Sequence, residues 1–79
     1  MRILFFAQLK EVTNCDLVEL SVAAPLSSEQ LWSALIEKYP ALAAHQASVR
    51  LACNLEYAGS EVLFNPDDEV ALIPPVSGG

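Results

Sequence analysis

The sequence predicts a small α+β domain in which one helix covers one face of a mixed β-sheet. Three observations lead there. Apolar periodicity changes between two-residue and helical spacing several times over short distances, one strong helix-start signal stands mid-chain, and the first and last apolar segments both read as strands. At 79 residues, 53% hydrophobic and 18% charged, the chain makes one folded domain rather than a disordered segment.

Arg2 to Ala7 (RILFFA) is β-branched and aromatic, with Ile3, Phe5 and Ala7 on one face and Leu4 and Phe6 on the other. Asp16 to Val22 reads as a second strand with Val18, Leu20 and Val22 on one face, so Gln8 to Cys15 is expected to be a hairpin loop. Next, Ser27 as N-cap, Gln30 three residues on, and the flanking Leu26 and Leu31 fit a capping box with a hydrophobic staple. The helix is expected from Ser28 to Tyr39, because Leu31, Ala34 and Leu35 with Trp32 and Ile36 make an apolar stripe and Pro40 stops it.

Ala41 to Ser48 is alanine-rich and fits either a frayed turn or a loop. Val49 to Asn54 alternates again, with Val49, Leu51 and Cys53 inward and Arg50 and Ala52 outward. Glu56 to Ala58 reads as a short edge strand, Asn65-Pro66-Asp67-Asp68 as a turn, and Glu69 to Ile73 as the closing strand. With the first and last strands adjacent and parallel, which needs the long crossover that the helix supplies, this is the β-grasp arrangement. Residues 1–73 then form the globular domain and 74–79 an extended tail.

Four Lys plus Arg against ten Asp plus Glu leave a net charge of −6, which offers little to a phosphate backbone or an anionic membrane. Neither nucleic acid nor membrane is an expected partner. The apolar stretches are far shorter than the roughly 20 residues that span a bilayer, and no signal peptide is visible, so a cytoplasmic location is expected. Cys15 and Cys53 read as free thiols, Cys53 buried in the core and inert, Cys15 in a loop where exposure is expected. Asp67, Asp68 and Glu69 read as a solvated turn, and no metal site is expected. His45 reads as a surface histidine and Trp32 and Tyr39 as packing groups, and no glycine-rich phosphate loop is present.

Pro74 and Pro75 cannot donate to a sheet ladder, and Gly78 and Gly79 have no side chain to bury. Such a tail reaches at most roughly 20 Å from the globule. Read alone, it is also compatible with a simple frayed terminus.

Taken together, these segments resemble the small sulfur-carrier subunits of molybdopterin synthase, a ubiquitin-like β-grasp family. The resemblance rests on Ile3-Leu4-Phe5-Phe6-Ala7-Gln8-Leu9, the capped helix with Leu31 and Leu35, Asn54-x-Glu56-Tyr57, Asp68-Glu69-Val70-Ala71 and, most specifically, Ile73-Pro74-Pro75-Val76-Ser77-Gly78-Gly79. It implies that the Gly79 carboxylate is the reacting group. An ATP-dependent adenylyltransferase would activate it as a glycyl adenylate, and sulfur would then replace the adenylate to give 1-thioglycine. The tail, Pro74, Pro75, Val76, Ser77 and Gly78 included, would enter the large catalytic subunit, two small with two large subunits forming a heterotetramer. There the sulfur would pass to a cyclic pyranopterin monophosphate in molybdenum cofactor biosynthesis. The chain would be no enzyme by itself and would bind no cofactor of its own.

Residue chemistry agrees with that implication. A carboxylate is a poor electrophile, so sulfur enters only after adenylation supplies a leaving group. Glycines without Cβ atoms pass a narrow tunnel, and two prolines lower the entropy lost when the tail is extended. Alternation also leaves Leu4, Phe6, Ala52, Ala71 and Ile73 as an exposed apolar patch at the root of the tail with Arg50 at its rim, a docking face for both partners. Two other readings use the same residues: a carrier for thiamin or cysteine formation or a protein modifier, and a passive β-grasp interaction domain.

Overall fold

A computed structural model describes residues 1–59 and 61–75 of the chain. Arg2–Phe5 forms β1, Leu17–Glu19 β2, Arg50–Cys53 β3, Glu56–Tyr57 β4 and Glu69–Ile73 β5. These make a five-stranded mixed sheet in the order β2-β1-β5-β3-β4. β1 and β5 run parallel at the centre, in the register Ile3↔Val70 and Phe5↔Leu72, while the other pairings are antiparallel. The expected β-grasp architecture is therefore the one observed.

The main helix, α2 (Ser28–Lys38), packs on one face of this sheet. Ser27 Oγ accepts from the Gln30 N–H at 3.2 Å and Gln30 Oε1 accepts from the Ser27 N–H at 2.9 Å, so the capping box is complete. Tyr39 ends the helix with its N–H on the Leu35 carbonyl, and Pro40 opens a 3-10 helix, Pro40–His45, that buries Leu42. That settles the alanine-rich segment as a helical turn. Pro40 at a first helical position costs no hydrogen bond, so the chain restarts where the α-helix had to stop.

The core takes Ile3, Phe5, Leu31, Trp32, Leu35, Leu42, Leu51, Val70 and Leu72, each buried. Full burial of one such side chain contributes about 1.5–3 kcal/mol. The Tyr39 ring meets Phe5 edge-on at 5.8 Å, and Trp32 packs in the core, so both helix aromatics are packing groups. Phe64, fully buried, arrives from the long segment before β5, where Phe64 and Leu26 exchange backbone hydrogen bonds of 2.7 and 2.9 Å.

Residues Gln8 to Cys15 are not a hairpin loop. Gln8–Thr13 forms a short helix, α1, entered through Ala7 at φ 51° and closed by Asn14 in the left-handed region at φ 60°. Leu9 and Thr13, four residues apart, share its buried side, and Thr13 Oγ1 donates to the Leu9 carbonyl at 2.9 Å. Asn14, which reads as a turn residue, is the C-cap that tolerates positive φ. Consequently β1 ends at Phe5, and Ala7 is exposed rather than part of the core face. β2 is shorter than the expected 16–22, although Leu20 still exchanges hydrogen bonds with Met1.

Both cysteines differ from expectation. Cys15 is half-buried beside the core, its Sγ 3.6 Å from the Tyr39 hydroxyl, a contact that raises the Tyr39 pKa above its ordinary value. Cys53 lies at the core's margin, half-buried rather than enclosed, because β3 ends there and turns. Its thiol donates to Asp68 Oδ2 at 3.3 Å, and burial, with that contact, pushes its pKa up to about 11. Asp68 organises the turn: it also accepts from the Asn65 N–H at 2.8 Å and from Asn54 Nδ2 at 3.2 Å.

Two outcomes are expected. Ser27→Ala removes the cap and should cost about 1 kcal/mol, lowering the thermal midpoint by about 4–8 °C in a melt followed by circular dichroism. The three donors on Asp68, the Asn65 N–H foremost, hold its pKa below the ordinary carboxylate value. The folded state therefore binds that proton less readily than the unfolded state, and the stabilisation is complete above about pH 4 and lost as pH falls below it. Urea midpoints measured against pH should show a flatter acid limb for Asp68→Asn than for the wild type.

Candidate functional site

Helices cover one face of the sheet; the other face carries the candidate site. Strand register sets its side chains in rows. Leu17, Leu4, Ala71, Ala52 and Tyr57 stand opposite one another across all five strands. Toward the tail, Ile73 pairs with Arg50, and Phe6 follows β1 on the same side. Away from the tail, Glu19, Arg2 and Glu69 form a third row, with Arg2 and Glu69 in an exposed ion pair at 3.6 Å. Such a pair adds little to stability.

Leu4, Phe6, Ala52, Ala71 and Ile73 do converge: together with Leu55, Tyr57 and Glu69 they line one groove of about 240 Å³. Phe6 and Arg50 are exposed, while Leu4, Ala71 and Ile73 are half-buried. Ala52 departs from expectation. It is buried, its methyl forming the groove floor beneath taller neighbours instead of offering exposed surface.

Arg50 stands at the tail end of the sheet with its guanidinium 5.9 Å from the centre of the Tyr57 ring. A smaller hollow of about 190 Å³, lined by Ser48, Arg50, Tyr57, Ile73, Pro74 and Pro75, continues from there along the start of the tail. Pro74 is half-buried and Pro75 exposed. Val76, Ser77, Gly78 and Gly79, the rest of the expected functional tail, lie outside the described residues.

Leu17, Leu55 and Tyr57 belong to this face and were not among the expected residues. Tyr57 was legible in principle: once Glu56-Tyr57 is read as pairing with the preceding strand, Tyr57 falls opposite Ala52. Leu55 gave no such signal, since turn residues follow no face alternation.

Among the described residues no group of His, Cys, Asp and Glu could hold a metal ion, and no helix is long and apolar enough to cross a membrane. None of the groups with a shifted pKa, Tyr39, Cys53 and Asp68, lines the groove. The face is thus suited to binding an apolar surface, with Arg50 at the tail side and, at the other, a row in which Arg2 stands between Glu19 and Glu69.

Comparison with known proteins agrees with this geometry. The chain is 34% identical over 82 residues to the human molybdopterin synthase sulfur carrier subunit, covering 100% of this chain and 93% of the relative. The crystal structure of SAMP1 from Haloferax volcanii superposes with a TM-score of 0.82 at 29% identity, covering 100% of this chain and 98% of that one. The fold is also shared, at a TM-score of 0.64 and 20% identity over 99% of this chain and 96% of that one, with a chain in the complex of subunits 1 and 2 of the Helicobacter pylori molybdopterin-converting factor. A family model matches residues 3–79, and the chain belongs to the ThiS family.

Proposed function

We propose that this chain is the sulfur carrier subunit of a molybdopterin synthase, with the Gly79 carboxylate as the group that carries the sulfur. Full-length similarity to a subunit of that name is the observation that carries the reading. The apolar groove at the root of the tail supports it, because a tail delivered to another protein's active site needs a docking surface beside its point of departure.

The chemistry divides into steps that the chain itself does not catalyse. A carboxylate oxygen of Gly79 attacks the α-phosphorus of ATP in the activating enzyme, releasing pyrophosphate and leaving a glycyl adenylate. A sulfur nucleophile displaces AMP, giving the thiocarboxylate. In the large subunit that sulfur attacks a carbon of the cyclic pyranopterin monophosphate and displaces its oxygen substituent, and water then cleaves the acyl–sulfur bond, leaving the sulfur on the pterin and returning the Gly79 carboxylate. This chain contributes the terminal glycines, the extended Pro74–Pro75 segment, and the docking face of Leu4, Phe6, Arg50, Ala52, Ala71 and Ile73. The large subunit and the adenylyltransferase take turns on that face, in a cytoplasmic cycle that ends in a heterotetramer. The match to a subunit of the Helicobacter pylori two-subunit complex supports the pairing with a large subunit.

Similarity to a small archaeal modifier protein favours a second reading, attachment of the Gly79 carboxylate to lysines of other proteins. Both begin with the same adenylate, and the two separate at the nucleophile.

Intact mass of the chain purified from cells that contain its activating enzyme tests the carrier reading. An oxygen-to-sulfur mass increment is expected, and it should vanish when residues are added beyond Gly79. Recovery of the chain only in isopeptide linkage to lysines would select the modifier. Phe6→Asp should abolish stable association with both partners, because it places a charge on a face that must be desolvated; unchanged complexes in gel filtration would refute the docking face.

A further inference from the structure

β3 and β4 are joined by the two residues Asn54 and Leu55, both at positive φ, 51° and 74°. Positive φ at both central positions is the mark of a type I′ hairpin turn, for which Asn-Gly is the favoured pair. Asn54 fits. It tolerates the left-handed region, and its side chain ties the turn to β5 by accepting from the Glu69 N–H at 3.1 Å and donating to Asp68 at 3.2 Å. Leu55 does not fit. Its branched side chain stands in a conformation that favours glycine, and it is 93% exposed, so it returns almost no burial to the fold.

A local rule broken with no gain in packing points to function. Leu55 lines the groove of the open face, and so does Tyr57, 68% exposed and held beneath the Arg50 guanidinium. Without them the apolar row across Leu4, Ala71 and Ala52 would be an open slope; with them it is a slot between Phe6 on one side and the hairpin on the other.

We propose that Leu55, backed by Tyr57, is a specificity-determining wall that makes this slot accept a single large apolar side chain from the large synthase subunit. The occupant's surroundings follow from charge. Arg50 at the tail side calls for a carboxylate next to that side chain, while at the far side Arg2 stands between Glu19 and Glu69 and pairs with Glu69, so the row keeps one carboxylate in excess for a basic group. An apolar side chain flanked in this order fits in one orientation only, the one that directs the tail beyond Pro75 into the partner. The large subunit is the occupant because the slot and the hollow beside Pro74 and Pro75 share Ile73 and Tyr57, so a partner that receives the sulfur in the proposed carrier cycle covers both. This inference rests on the sulfur-carrier reading above.

The test titrates the full chain against the large subunit of the same organism by calorimetry, alongside thermal melts. Leu55→Gly creates the favoured Asn-Gly pair, so the thermal midpoint should hold or rise, while the Kd should rise about tenfold, as for a truncated interface anchor. Leu55→Asn, which keeps tolerance of positive φ and removes the apolar wall, should weaken binding similarly. Leu63→Ser, at an exposed leucine outside the slot, should bind as the wild type does. Wild-type affinity for Leu55→Gly beside a weakened Phe6→Asp would overturn the wall and leave the docking face standing. Wild-type affinity for both would overturn the docking face together with the wall. A lower midpoint for Leu55→Gly, or equal weakening by Leu63→Ser, would also overturn the proposal, since Leu55 would then act through the fold or through general apolar contact.

Discussion

The parallel pairing of β1 with β5 is the constraint on which the rest of the structure depends. It joins residues from opposite ends of the chain, Arg2 to Glu69 and Phe5 to Leu72, so it forms only after the intervening segment has crossed over. That crossover carries α2 and the 3-10 helix across one face and leaves the other open. It also makes β5 a central strand, flanked by β1 and β3, so that its carboxyl end lies in the middle of the sheet edge rather than at a corner. Ile73, the last residue of β5, consequently stands beside the open face.

Each side of β5 serves a different need. Val70 and Leu72 are fully buried against the helices, whereas Ala71 and Ile73 face the groove. Small residues on the open side, Ala71 and Ala52, keep the middle of that face low. Larger groups at its margins, Phe6, Leu55 and Tyr57, then turn a flat sheet surface into a depression. A flat apolar sheet invites association with any other apolar surface, whereas a depression selects by shape.

Long-period features of the chain were legible because they obey a repeating rule. Alternation in Arg2 to Ala7 and Glu69 to Ile73 and the Ser27–Gln30 box each carry several agreeing residues; β5 and α2 formed where they pointed, and β1 stopped two residues short, at Phe5. α1 escaped because a six-residue helix offers one buried pair, Leu9 and Thr13, which fits a loop equally well until Asn14 is known to adopt positive φ. Phe64 escaped because its burial depends on a two-residue bridge to Leu26, a tertiary pairing with no local pattern. On the site, alternation alone brought Leu4, Phe6, Ala52, Ala71 and Ile73 together, but it could not rank their exposure. Ala52 is buried because its neighbours are taller, which depends on the residues beside it in space rather than on its own strand.

Leu55 shows where the two kinds of information have to be combined. In the sequence, Asn54-Leu55 is an unremarkable dipeptide in a short connection; in the structure, a leucine at φ 74° with its side chain in solvent is a cost with no return inside the molecule. Glycine there would relieve the strain but would lower one wall of the groove. Among the described residues, the buried polar side chains are satisfied, as Thr13 is by the Leu9 carbonyl. In the carrier role proposed above, the chain would bring its terminal carboxylate to the reaction and leave the acid and base chemistry to its partner. Orientation on the partner is then what the proposed docking face would have to secure, and a hairpin held by the Asn54 hydrogen bonds before the partner arrives would secure it better than a relaxed one.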